Sequence, residues 1–116
     1  SLPLGTHNAR PYKDGVIFND TASDHVRFVS RERGQRSFKI KHYDSDEIQF
    51  AGIDDSKIAR QGFGRGLCVY EDRLLIGGSS PSTISLYDIL SGETIGSVTM
   101  TMDIRNAIHG LELWPF

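Results

Sequence analysis

The residues best suited to hold a ligand are His7, Asn8, Arg65, Arg105, Asn106 and His109. An arginine offers a planar fork for a carboxylate or phosphate, and histidine adds a donor that titrates near neutral pH. Together they would suit a small anion or a sugar. Asn8, Asn19, Asp20 and Asn106 form a second set, of the type that could approach Ca²⁺. Calcium takes six to eight oxygens, and this set brings a single carboxylate. A zinc site from His7 and His109 lacks the further ligands zinc requires. No metal site or cofactor is therefore assigned. The chain has no G-x-S-x-G elbow, phosphate-binding loop or H-E-x-x-H helix. No catalytic residue can be named.

What relates these residues is an internal repeat. Tyr12-Lys13-Asp14-Gly15-Val16-Ile17-Phe18 aligns without gaps on Tyr70-Glu71-Asp72-Arg73-Leu74-Leu75-Ile76, at an offset of 58. The same offset sets Val26-Arg27-Phe28-Val29 on Ile84-Ser85-Leu86-Tyr87, Gly34 on Gly92 and Ile40 on Val98. Gly66-Leu67-Cys68-Val69 recurs as Gly110-Leu111-Glu112-Leu113, at an offset of 44. The first unit is thus the longer one, and its extra residues fall between His42 and Gln61. In this register His7, Arg65 and His109 occupy one column.

Each unit reads as four short strands separated by turn residues. In the second unit these are Gly66–Tyr70, Leu74–Gly78, Thr83–Tyr87 and Thr94–Thr99. Ile84 and Leu86 alternate with Thr83 and Ser85, the two-residue period of a strand. A glycine at 34 and 92 supplies the positive φ of a tight hairpin. No helical stripe appears; the best helical candidate, Ser56–Gln61, is very short.

The fold expected is all-β. It has two four-stranded antiparallel blades of the propeller type, plus one extra strand. Residues 7–60 make the first blade, with the insertion near 42–61. Residues 62–104 make the second, and 105–116 the inner strand of a further blade. Propellers use about four to eight blades. The chain would therefore be part of a longer polypeptide or complete a ring as a homo-oligomer. A β-sandwich is the alternative.

Gly62 to Ser79, with its Arg65-Gly66-Leu67 start, apolar second strand and Gly78-Ser79 end, resembles the inner strands of NHL- or YVTN-type propeller blades. It is also similar to an uncharacterised bacterial propeller family and, more distantly, to plant-type glutaminyl cyclase. The resemblance implies ligands bound where first strands meet the mouth of a central channel. It leaves two expectations. One is a binding or interaction module. The other is a hydrolase, lyase or cyclotransferase working at that mouth.

The remaining features restrict these options. Thirteen Lys and Arg stand against fifteen Asp and Glu, which disfavours nucleic acid as partner. The basic run Arg27, Arg31, Arg33, Arg36, Lys39, Lys41 is expected to guard strand edges. Asp44, Asp46, Glu47, Asp54 and Asp55 read as a solvated acidic loop. Cys68, flanked by Leu67 and Val69, reads as a small core residue. No apolar run is long enough to span a membrane, and residues 1–5 lack the pattern of a secretion signal. Cytoplasm is the default expectation. Trp114 and Phe116 are expected to pack against a neighbouring blade.

Overall fold

The computed structural model describes residues 5–44, 46–49, 61–106, 108 and 110–112. Among them there is no helix, and so none long and apolar enough to cross a membrane. There are eight strands: β1 (Thr6–Tyr12), β2 (Gly15–Asp20), β3 (His25–Ser30), β4 (Gly34–Lys39), β5 (Gly62–Tyr70), β6 (Leu74–Ser80), β7 (Thr83–Asp88) and β8 (Glu93–Thr99). They form two four-stranded antiparallel sheets, β1-β2-β3-β4 and β5-β6-β7-β8. No strand crosses between them, so each repeat unit is one meander, as in a blade.

Strand pairing refines the repeat. β3 and β7 match at the offset of 58. The β1–β2 turn, however, spans two residues (Lys13 and Asp14), and the β5–β6 turn spans three (Glu71 to Arg73). The extra residue slides β6 by one position. Ile17 pairs with Phe28, and Ile76 with Leu86, so Ile17 corresponds to Ile76 rather than to Leu75. A one-residue slip exchanges the faces of a strand, so this correction decides which side chains are equivalent. In the last strands, Phe38 pairs with Val26 and Val98 with Ile84. Phe38, not Ile40, is therefore the counterpart of Val98. The expected match of Gly34 with Gly92 holds, with φ of 77° and 79°.

One core joins the two sheets. Tyr12, Ile17, Val26, Phe28 and Phe38 face Leu67, Leu75 and Tyr87, with Ile40 and Ile89 at the margins. The Phe38 and Tyr87 rings lie 4.9 Å apart, and Tyr12 meets Phe28 edge-on at 5.3 Å. Polar bonds fix the junction. The Tyr12 hydroxyl donates to the Asp72 carbonyl, Thr21 Oγ1 to the Gly64 carbonyl at 2.7 Å, and Asn19 Nδ2 to the Gly66 carbonyl at 3.3 Å.

The stretch after β4 and the stretch after β8 also meet. Gln49 N donates to the Met102 carbonyl at 2.8 Å, and Ile104 N to the Gln49 carbonyl at 3.0 Å. The inner strand expected over 105–116 is not seen among its described residues. Instead, Ile108 docks on the second sheet: its amide donates to the Ser79 carbonyl, and its carbonyl accepts from Gly66 N at 3.1 Å. Residues 50–60, including most of the helical candidate, and the Trp114-Pro115-Phe116 end lie outside the described residues.

Candidate functional site

The first strand of each sheet carries an irregularity near its start, about two residues apart in the repeat. Register slips between His7 and Arg10 in β1, and between Gly62 and Gly66 in β5. Such bulges re-aim side chains at a sheet edge. Asn8, at φ 52°, and Arg65 sit within them. His7, just before its bulge, pairs with Asn19. His7 and Arg65 thus lie on the first strands of the two sheets, but the expected column is not kept: paired with Asn19, His7 is level with Gly66, which pairs with Gly78.

The two side chains sense each other. Partial burial lowers the pKa of His7, and the positive charge of Arg65 lowers it further. At neutral pH the pair is a neutral imidazole beside a fixed cation. Behind it, Asn19 is fully buried on β2, and its Oδ1 finds no hydrogen-bond partner among the described residues.

The other candidates are engaged elsewhere. Arg105 grips Asp103 through Nε, at 3.0 and 3.2 Å, and through Nη2, at 2.7 Å. Asn106 N donates to the Asp103 carbonyl, and the Asn106 carbonyl accepts from Ser80 Oγ. Both residues therefore shape the turn that seats Ile108. His109 lies outside the described residues.

The calcium set falls on separate elements: Asn8 on β1, Asn19 and Asp20 on β2, and Asn106 after β8. Asn19 and Asp20 are adjacent on one strand, so they point to opposite faces. Asp20 is held by Arg27 Nε at 2.8 Å. Burial raises its pKa, but hydrogen bonds from Ser23 and Arg27 and the Arg27 charge outweigh burial and leave it below the ordinary carboxylate value. Among the described residues no three His, Cys, Asp or Glu side chains group as metal ligands.

Cys68 is buried, as its flanks implied. Burial pushes its thiol pKa up; Arg10 pulls it down and Glu112 pushes it up again. The thiol stays protonated at neutral pH, which suits a packing role. Three of the six residues of the basic run are anchored within the fold. Arg27 binds Asp20, Ser37 and Ser23, Arg33 approaches Asp14 at 3.9 Å, and Arg36 Nη2 donates to the Leu90 carbonyl.

Sequence reasoning missed an open groove of about 390 Å³ at the opposite end of β1 and β5, lined by Arg10, Tyr12, Val69, Glu71 and Asp72. The column of Arg10, Cys68 and Glu112 at the two repeat offsets was the available signal, since the first two belong to equivalent strands. In comparisons with known proteins, no family model, curated protein or solved structure matches the chain.

Proposed function

We propose that this chain is a non-catalytic binding module of the β-propeller type, which holds a small anionic or sugar ligand at the bulged ends of its first strands. The observation that carries the reading is that Arg65, in the bulge of β5, lies near enough to His7, beside the bulge of β1, for its charge to lower the His7 pKa. A guanidinium beside a neutral imidazole offers directional donors to an anion. Asn8 at its positive φ adds an exposed amide at the same bulge.

The test is a titration with inorganic phosphate, followed by the ring-proton NMR shifts of His7. Saturable shifts that Arg65→Gln reduces at least tenfold in affinity support the reading. Shifts unchanged by Arg65→Gln, or none up to millimolar phosphate, overturn it for anions.

A further inference from the structure

The corrected repeat register makes a comparison of faces possible. Tyr12, Ile17, Val26, Phe28, Phe38 and Ile40 of the first sheet correspond to Tyr70, Ile76, Ile84, Leu86, Val98 and Met100 of the second. All twelve side chains are apolar or aromatic. The last pair is anchored alike: Ile40 N donates to the Asp24 carbonyl and Met100 N to the Ser82 carbonyl. In the first sheet all six are buried, because the second sheet covers them. In the second sheet Tyr70, Val98 and Met100 are 44%, 62% and 60% exposed. Equivalent residues thus form a buried junction on one sheet and an open apolar face on the other.

A further observation says what fits that face. At the junction of the sheets, Ile40 and Asn19 fill the space beside Gly64, where an added Cβ would lie 2.6 Å from Ile40 Cδ1 and 2.8 Å from Asn19 Oδ1. The counterpart of Asn19 is Gly78, and the counterpart of Gly64, at the offset of 44, is Ile108. Here the roles are exchanged: Ile108 fills the space beside Gly78, where an added Cβ would lie 2.6 Å from Ile108 Cβ. The hydroxyls also reach the incoming stretch, at other positions. Thr21 donates to the Gly64 carbonyl, and its counterpart Ser80 donates to the Ile104 and Asn106 carbonyls, four and two residues before Ile108. Ile104, Asn106 and Ile108 therefore lie against the second sheet beside Gly78 and Ser80, the counterparts of the residues that Gly64 meets on the first.

We infer that the open face of the second sheet is a docking site for three further antiparallel strands of this same repeat, which take the stretch from Ile108 to Glu112 as their first strand and complete a third sheet. A second copy of the chain fits less well. Its first sheet already has its own first strand, which would collide with the docked stretch. The face that sheet would present carries the Arg27–Asp20 ion pair. This inference concerns a surface separate from the His7–Arg65 site and does not depend on ligand binding there.

The test lengthens the chain by one unit, with residues 69–112 appended directly after Glu112. Val98→Asp is then made in the second unit of the long chain and in the 116-residue chain. With a third sheet covering Val98, the substitution lowers the melting temperature of the long chain by roughly 10 °C and that of the short chain by less than about 2 °C. A small shift in both, with the long chain folded by circular dichroism, overturns the inference. So does a short chain that light scattering shows to be a dimer and that Val98→Asp dissociates. If the long chain does not fold, the segment Glu71–Ile104, carried on a soluble fusion partner, is titrated into the short chain. Binding weakened at least tenfold by Val98→Asp supports the docking site, and no binding overturns it.

Discussion

At the β3–β4 turn, Ser30 Oγ accepts hydrogen bonds from Glu32 N and Arg33 N, at 3.2 and 3.0 Å. At the β7–β8 turn, Asp88 Oδ1 accepts from Leu90 N and Ser91 N, at 2.9 and 3.2 Å. The acceptor position and its two donors are the same; the chemistry is not. In the first sheet the acceptor is a neutral hydroxyl, and it donates in turn to Asp14 from the adjoining turn. In the second sheet the acceptor is itself the carboxylate, and Arg73 of the adjoining turn pairs with it at 2.9 Å. The pair of turns needs one carboxylate, and either turn can supply it. The repeat therefore preserves a geometric demand while leaving residue type free. The same holds for Asn19 and Ile108, which fill matching spaces from opposite sides.

The sharpest test of this equivalence is truncation at matched positions. Phe38 is 2% exposed and stacks on Tyr87, whereas its counterpart Val98 is largely open. Phe38→Ala should cost about 3–5 kcal/mol, against less than about 0.5 kcal/mol for Val98→Ala. Urea unfolding of both variants measures the difference. Equal costs would mean that something already covers the second sheet.

The exchanged side chains give a smaller effect. Gly78→Ala forces Ile108 from its seat and should cost about 1–3 kcal/mol. Ile108→Ala should absorb part of that cost, because contacting residues are not additive. Gly110→Ala is the control, since nothing lies within 4 Å of its added Cβ. A double variant as unstable as the sum of the single variants would remove Ile108 from the second junction.

The turns differ in their response to acid. The Arg73 hydrogen bond, aided by the Ser91 and Leu90 amides and the Arg73 charge, outweighs burial and holds Asp88 down to about 2. A carboxyl with a depressed folded pKa stabilises fully above its unfolded value, near 4, and that support is lost as pH falls through about 2. Urea midpoints measured from pH 5 to pH 2 should fall more steeply for the native chain than for Asp88→Asn. Parallel slopes would show that the Arg73 pair is not formed in solution.

Much of this organisation was legible in the residues. Turn signals and two-residue alternation located all four strands of the second unit, because hairpins are written locally. The gap-free alignment failed where a local feature differs: Arg73 lengthens one turn by a single residue, and the slip reverses every side chain of β6. Alignment by residue type could not detect this, since Leu74, Leu75 and Ile76 are interchangeable in such a match. The column of His7 and Arg65 also slips: His7 pairs with Asn19 and Gly66 with Gly78, its counterpart, so the bulge of β1 sets His7 level with Gly66 and leaves Arg65 in the bulge of β5. The engagement of Arg105 with Asp103 was written in the sequence two residues away, but a turn at that point was not expected.

The finest probe of the equivalence is the titration of His7. Its depressed pKa has two causes, burial first and the Arg65 charge second. The midpoint followed by NMR should therefore lie below the ordinary 6.5 of histidine. Arg65→Gln should raise it without restoring 6.5, because burial remains. The linked stability runs the same way. The unfolded chain binds the His7 proton more readily, so stability is full above pH 6.5 and declines as the pH falls through the lowered folded value. A midpoint that Arg65→Gln leaves unmoved would separate the two side chains. It would show that bulges on neighbouring first strands need not make one site.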